Sequence, residues 1–188
     1  MAVEPNYALT LDHSRWLPVP LAFPWGEFET PADWADALAA SLLTGTGAEQ
    51  AGTRLLADTA LALQAMDSPL PGAAERFWRT EYVGGRPIVA HLYITETEAA
   101  SVDDALQLAR AGIGGSVQTW SILDETAFDV AISVAVVAEI ADQTIMATRW
   151  IGLRGGLVFL LDHIDEDPLV LEAVQPELAA VFRSIRFA

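Results

Sequence analysis

The chain has 188 residues, of which 52% are hydrophobic, and its mean hydropathy is +0.31. This length and composition predict one domain over residues 1–188, with enough apolar surface to offset the chain entropy lost on folding. The 26 acidic and 10 basic residues give a formal charge of −16, which disfavours nucleic acid and anionic membranes as partners because both are bound through clustered cations. Such a surface attracts a basic protein or peptide, although solubility alone would also account for it.

The sequence contains no cysteine, which excludes disulfides, iron–sulfur clusters, thiolate zinc sites and a cysteine nucleophile. Its first residues include Glu4 and Asp12 and show no basic segment followed by an apolar one, so no secretory signal is expected. The longest apolar run, Val130 to Ala138, is far shorter than the ~20 residues of a membrane helix, and we expect a core strand there. These features predict a soluble, cytoplasmic protein.

Residues 1–29 form an arm rich in proline and tryptophan. Four prolines between Pro5 and Pro24 exclude a helix and favour an extended segment that wraps the domain or adds an edge strand. Trp16, Phe23 and Trp25 in this arm are candidate binding residues, because exposed aromatic side chains are typical of interfaces. The alternative is that they pack over the sheet and are buried.

Two helices are expected after the arm. Thr30 is a good N-cap, and Pro31 suits the first helical position. The break at Thr44 to Gly47 should end this helix, and a second should follow from about Ala48 to Met66. The residues of the second helix that are predicted to face inward are Leu55, Leu56, Thr59, Leu63 and Met66.

From Glu75 onward the spacing of apolar residues is that of strands, interrupted by one helix. A hairpin is expected through Gly84-Gly85, and Ser101 with Asp104 predicts a capped helix. The predicted strands are Glu75–Val83, Arg86–Glu96, Val117–Leu123, Phe128–Ile140, Thr144–Leu153 and Leu157–His163, and a helix over Asp167–Arg186 follows them. This order predicts an antiparallel β-sheet of about six or seven strands packed against helices.

Residues from about 75 to 188 resemble the PsbP-like fold, shared by photosystem accessory proteins, a Ran-binding nuclear-transport factor and many small bacterial proteins of unassigned role. The resemblance is carried by the hairpin, the capped helix Ser101–Ala111, the four-strand meander and the ending Val181-Phe182-Arg183-Ser184-Ile185-Arg186-Phe187. The helices over residues 30–66 depart from the usual beginning of that family. Members of the fold are mostly accessory or adaptor proteins without a shared active site, so the resemblance implies binding and carries over no catalytic residues.

His91 is the best-placed acid–base candidate. It shares a predicted strand face with Tyr93, so it could line a pocket beneath a helix, with Arg79 or Glu81 of the paired strand nearby. The alternative is a histidine held by a hydrogen bond in or near the core. The tripeptide Asp12-His13-Ser14 is no catalytic triad, because neighbours in sequence point apart.

The segment Asp162–Asp167 contains four carboxylates and one imidazole, enough ligands to suggest a divalent ion. The spacing of a calcium loop is absent, and an acidic turn that caps a helix opened by Pro168 explains the same residues. No phosphate-binding loop, nucleophile elbow, dinucleotide fingerprint or zinc-protease motif occurs. We therefore predict no catalytic residue, no metal and no cofactor.

Two functions remain open. The first is a non-enzymatic protein-binding or accessory protein, an adaptor that uses the sheet face or the arm, with a homodimer through the arm or an edge strand as a further expectation. The second is a small-molecule-binding protein or enzyme, with a pocket between sheet and helices centred on His91.

Overall fold

The computed structural model describes residues 5–47, 50–80, 86–140 and 143–187. The helices in these ranges are α1 (Pro31–Leu43), α2 (Gln50–Ala65), α3 (Val102–Leu108) and α4 (Pro168–Arg183). The strands are β1 (Tyr7–Ala8), β2 (Trp16–Pro18), β3 (Ala73–Arg79), β4 (Ile88–Glu96), β5 (Ser116–Ile122), β6 (Val130–Ile140), β7 (Gln143–Arg154), β8 (Leu157–Asp165) and β9 (Arg186–Phe187). None of these helices is both long and apolar enough to cross a membrane.

Seven of the strands form one antiparallel sheet in the order β2-β3-β4-β8-β7-β6-β5. Strands β5 to β8 follow one another as a meander. Gly155 and Gly156, both at positive φ, form the tight turn from β7 to β8. β1 and β9 pair separately as a two-stranded sheet. The predicted α+β class and antiparallel meander are confirmed.

Helices cover both faces of this sheet. α4 packs on one face through Val174, Leu178 and Phe182. α3 packs on the other through Ala105 and Ala109. We call these two sides the α4 face and the α3 face. Because the central strands are buried on both sides, their sequences are nearly continuous apolar runs.

α1 and α2 pack against each other and against Trp78 of β3. Leu56 and Leu63 of α2 are buried in this contact, as predicted, whereas Leu55 and Met66 are exposed. The prediction that Leu55 and Met66 face inward is therefore wrong. The buried positions share a helical stripe through Leu56 and Leu63 that leaves Leu55, one residue earlier, about 100° away around the axis.

Local sequence signals set where three helices begin. The Thr30 hydroxyl accepts the Asp33 N–H at 3.2 Å at the start of α1. Ser101 and Asp104 form a complete capping box before α3. Asp167 accepts the Leu169 N–H at 2.9 Å before α4. All three predicted helix starts are confirmed.

The arm adds β2 to one edge of the sheet, antiparallel to β3, as the prolines predicted. Proline is tolerated at this place because one side of an edge strand makes no ladder hydrogen bonds. The hairpin turn expected at Gly84-Gly85 lies outside the described residues.

Gly115 brings the chain unusually close to β6 just before β5 begins. Its φ is 75°, and a Cβ there would lie 2.3 Å from the carbonyl oxygen of Val137. Gly114 also has a positive φ, but no atom lies within 4 Å of the position that its Cβ would take.

Gly115→Ala should lower the free energy of unfolding by about 3 kcal/mol, and the matched Gly114→Ala by about 1 kcal/mol. Both variants strain the backbone, but only Gly115→Ala adds a clash with a backbone atom. Urea denaturation measures both losses, and equal losses would contradict the close approach.

Candidate functional site

Four buried polar side chains lie side by side on the α3 face, one from each of β3, β4, β8 and β7. In the sheet register Arg76 is opposite His91, His91 is opposite Asp162, and Asp162 is opposite Arg149. All four residues are buried, and His91 is only 3% exposed. We call this set the polar row. Buried charges must be paired or hydrogen-bonded, so the contacts of the row decide its chemistry.

Arg76 binds the end of α2. Its Nη1 donates to the carbonyl oxygens of Leu63 at 2.5 Å and Gln64 at 3.1 Å. Its Nη2 donates to the carbonyl oxygen of Met66 at 2.6 Å and to the Ser68 hydroxyl at 2.9 Å. The last carbonyls of a helix have no partner within the helix, so a buried arginine is a suitable donor for them.

The remaining N–H of Arg76, on Nε, donates to Nε2 of His91 at 3.1 Å. His91 must therefore be neutral, with its proton on Nδ1. Burial, followed by the charges of Arg76 and His163, lowers the pKa of His91 to about 4. Arg79, one of the predicted neighbours, lies on the opposite face of β3, and Glu81 lies outside the described residues. The structure thus matches the alternative for His91, a buried histidine with a hydrogen bond in the core.

Arg149 binds the end of α3 in the same way. Its Nη1 donates to the carbonyl oxygens of Ala109 at 2.8 Å and Ala111 at 2.7 Å, and its Nη2 lies 3.3 Å from Oδ2 of Asp162. Burial raises the pKa of Asp162 to about 6, and Arg149 opposes that rise. Oδ1 of Asp162 and Nε of Arg149 have no hydrogen-bond partner within the part of the chain that the structure describes. The polar row therefore contains one acceptor and one donor that make no hydrogen bond with the described residues.

A cavity of about 120 Å³ lies next to the polar row on the α3 face. Its floor includes Tyr93, Leu160 and Ile151, which are in register with one another and two residues along their strands from the polar row. Its roof comes from the end of α3 and from the segment after α2. The residues that line this cavity include Tyr93 but not His91, around which the pocket was predicted. Burial and the Asp162 charge raise the pKa of Tyr93, so its phenol stays protonated.

Glu177 of α4 holds the arm in place. Its Oε2 accepts hydrogen bonds from Trp16 Nε1 at 2.8 Å and from Arg79 Nε at 2.9 Å, and its Oε1 accepts from Arg79 Nη2 and Arg15 Nη1. Burial raises the pKa of Glu177, but these hydrogen bonds outweigh it and lower the pKa below its usual value. Trp16 is buried by this contact, so it is no surface for a partner. For Trp16, the structure thus agrees with the alternative that the aromatic residues of the arm are buried.

The other two aromatic candidates of the arm differ. Phe23 is half-buried against the cluster between α1 and α2. Trp25 is 38% exposed and stacks on Phe28, with 6.3 Å between the ring centroids. Trp25 is thus the accessible ring of the three candidates, and the arm does not form one continuous aromatic surface.

The acidic segment is distributed over two structural elements. Asp162 and Asp165 belong to β8, and their side chains are on opposite faces because strand residues alternate. Asp165 lies 3.3 Å from Arg86, and Asp167 caps α4. Oδ1 of Asp165 also accepts the Asp167 N–H at 2.8 Å, in the turn before α4. The predicted acidic turn is therefore wrong for Asp162 and confirmed for Asp165 and Asp167.

Strand β5 is at the edge of the sheet, and no strand of the described residues pairs with its outer side. The sequence did not predict this edge as a site. Trp120 is 48% exposed and Ile122 is 60% exposed. Both are on the α3 face, in register with buried residues of β6. The strand carries no charged residue and no proline. A β-bulge between Val117 and Thr119 leaves residues 119–122 as its regular part.

Natural edge strands usually carry charges, prolines or bulges that prevent pairing with another chain. β5 has the bulge, but its regular part is uncharged and displays two large apolar side chains. The signal in the sequence was the alternation of Trp120 and Ile122 within an uncharged stretch. That alternation also fits a buried strand, so only the strand order reveals a free edge.

No protein-family model matches this chain, and no curated protein matches it. Some solved structures are similar to part of it. The Pseudomonas aeruginosa protein PA94, of unknown function, is 16% identical with a TM-score of 0.37, over 58% of this chain and 72% of that one. A structure from Bacteroides thetaiotaomicron is 11% identical with a TM-score of 0.34, over 60% of this chain and 38% of that one. At such TM-scores neither similarity indicates a function. The resemblance to the PsbP-like fold stays a prediction.

The His91 contact predicts how stability depends on pH. The unfolded chain takes up a proton on His91 near pH 6.5, whereas the folded chain resists it down to about pH 4. The stability that neutral His91 contributes is present above pH 6.5 and is lost as the pH falls toward 4. His91→Gln keeps an acceptor for Arg76 Nε but cannot be protonated. Between pH 7.5 and 4.5, the free energy of unfolding of the natural chain should therefore fall by about 2 kcal/mol more than that of the variant.

Urea titrations at both pH values measure this difference. The comparison between the two chains cancels the opposite contribution of Asp162, whose raised pKa stabilises the fold as the pH falls below about 6. His13→Gln, at an exposed position, is the matched control for the loss of one histidine. Parallel pH profiles for the natural chain and His91→Gln would show that His91 is not held neutral.

Proposed function

We propose that this protein is a non-enzymatic binding module that takes up an extended, basic segment of a partner protein along β5. The observation that carries the proposal is the free, uncharged edge with Trp120 and Ile122 exposed on one face. A strand with these properties offers main-chain hydrogen bonds and apolar contacts together, which is how sheets bind extended peptides.

Strand addition fits the geometry of β5. Its inner side pairs with β6 through residues 116–122, and no described strand pairs with its outer side. Because Trp120 and Ile122 are on the same face, alternate side chains of an added strand would contact them. The opposite face of the regular part presents Thr119 and Ser121, which suit a more polar set of neighbours.

The charge of the chain favours a basic partner over a second copy. The formal charge is −16, and three of the ten arginines, Arg76, Arg79 and Arg149, are buried, so few cations remain at the surface. Two copies would bring like charges together when their edges pair. A basic segment instead gains from long-range attraction to the acidic surface.

The chemistry of the polar row supports a non-enzymatic role. His91 is neutral, buried and hydrogen-bonded to Arg76, so it is not the solvent-facing acid–base group that the alternative function requires. The resemblance of residues 75–188 to PsbP-like accessory proteins supports the same proposal.

The double variant Trp120→Thr/Ile122→Thr tests the edge. Threonine keeps the strand preference of β5 while removing both large apolar side chains, so the fold should persist. The immobilised natural chain should retain one basic protein from source lysate in stoichiometric amount at low salt and release it at high salt. The double variant should retain at least tenfold less of it, measured on stained gels.

Leu55→Gln/Leu169→Gln is the matched control, since it removes two exposed apolar side chains from helices away from β5. Equal capture by the edge variant and the natural chain would overturn the proposal. Analytical ultracentrifugation addresses the second-copy alternative: a concentration-dependent dimer that the β5 variant abolishes would replace the basic partner with another copy of this chain.

A further inference from the structure

We propose that the cavity beside Tyr93 binds a small neutral molecule with an apolar body the size of one aromatic ring and a single oxygen acceptor. This inference does not depend on the proposed docking at β5. It rests on the size and lining of the cavity, on an unused hydroxyl proton, and on the charges in the adjacent polar row.

The cavity has the size of one ring. Its volume is about 120 Å³. An apolar protein cavity of roughly 150 Å³ is large enough to bind benzene. The apolar lining of the cavity beside Tyr93 includes Leu70, Leu108, Ile151, Val158 and Leu160. An apolar ring gains dispersion contacts with these side chains that water does not.

Tyr93 provides the polar contact. Its hydroxyl oxygen accepts the Leu70 N–H at 3.2 Å, and its own proton has no acceptor among the described residues. A buried hydroxyl proton is normally donated to some acceptor. A carbonyl or ether oxygen of a bound molecule would receive it, which fixes the orientation of the ligand in the cavity.

The surroundings favour a neutral ligand. Asp162 and Arg149, both fully buried, lie in the neighbouring row, and each keeps one polar atom without a partner among the described residues. The row carries charges of both signs, Arg149 and Asp162 pair with each other, and neither lines the cavity, so the row offers a bound ion no direct partner. A neutral molecule avoids the cost of burying an unpaired charge.

The cavity is accessible from solvent. Pro71, Thr95 and Ala111 line it and are themselves exposed, so they form its rim. A ligand can therefore enter between the end of α3 and the segment after α2 without opening the sheet.

Acetophenone, α-methylstyrene and benzoate are suitable probes. The first two have nearly the same shape but differ in the oxygen acceptor, and benzoate adds a negative charge. Isothermal titration, with the methyl resonances of Ile151 and Leu160 as a local NMR readout, should show acetophenone binding about fivefold more tightly than α-methylstyrene. Benzoate should bind at least tenfold more weakly than acetophenone.

Tyr93→Phe should remove the preference for acetophenone while leaving α-methylstyrene binding unchanged. Tyr7→Phe is the matched control, since it deletes a half-buried hydroxyl that bonds Glu75 elsewhere in the fold, and it should keep the fivefold preference. Loss of the preference in both variants, or in neither, would overturn the assignment of Tyr93.

Val158→Phe fills the cavity from its floor. It should abolish binding of both probes with an unchanged or higher Tm, because filling a void restores contacts, whereas a misfolded variant would show a lower Tm. Undiminished binding in a folded Val158→Phe, or no methyl shift with any probe in the natural chain, would overturn the site. The Trp120→Thr/Ile122→Thr variant should bind acetophenone normally, so a failure here is separate from a failure of the docking edge.

Discussion

Two buried arginines join the helices to the sheet. Arg76 binds the last carbonyls of α2, and Arg149 binds the carbonyls just after α3, each from the centre of the α3 face. Burying a guanidinium is costly unless its N–H groups find acceptors, and free helix ends are costly unless their carbonyls find donors. The hydrogen bonds between the guanidinium groups and the helix carbonyls offset both costs, so the positions of both helices depend on the polar row.

The same arrangement limits where chemistry or binding can occur. Nε2 of His91 accepts the Arg76 Nε–H in the core, so this nitrogen is not available as a base toward a substrate. Two accessible features remain on the α3 face: an apolar cavity beside Tyr93 and the uncharged edge at β5. The first suits a small molecule, and the second suits an extended chain. The two surfaces draw on different residues and can act independently.

The sequence predicted the parts of the fold that depend on local signals. The caps at Thr30, Ser101 and Asp167 and the antiparallel meander follow from neighbouring residues alone. The partner of His91 could not be predicted, because it depends on strand register. A two-residue turn at Gly84-Gly85 would place Trp78 opposite His91, whereas the observed register places Arg76 there. The free edge at β5 likewise depends on the strand order, which no local pattern specifies.

The contact between Trp16 and Glu177 joins segments that are 161 positions apart in the chain. During synthesis on the ribosome the arm emerges well before the carboxylate that receives it. β2 therefore cannot reach its final anchored state until Glu177 has left the ribosome. α4 must form before the arm can be anchored, so a segment made early is secured late.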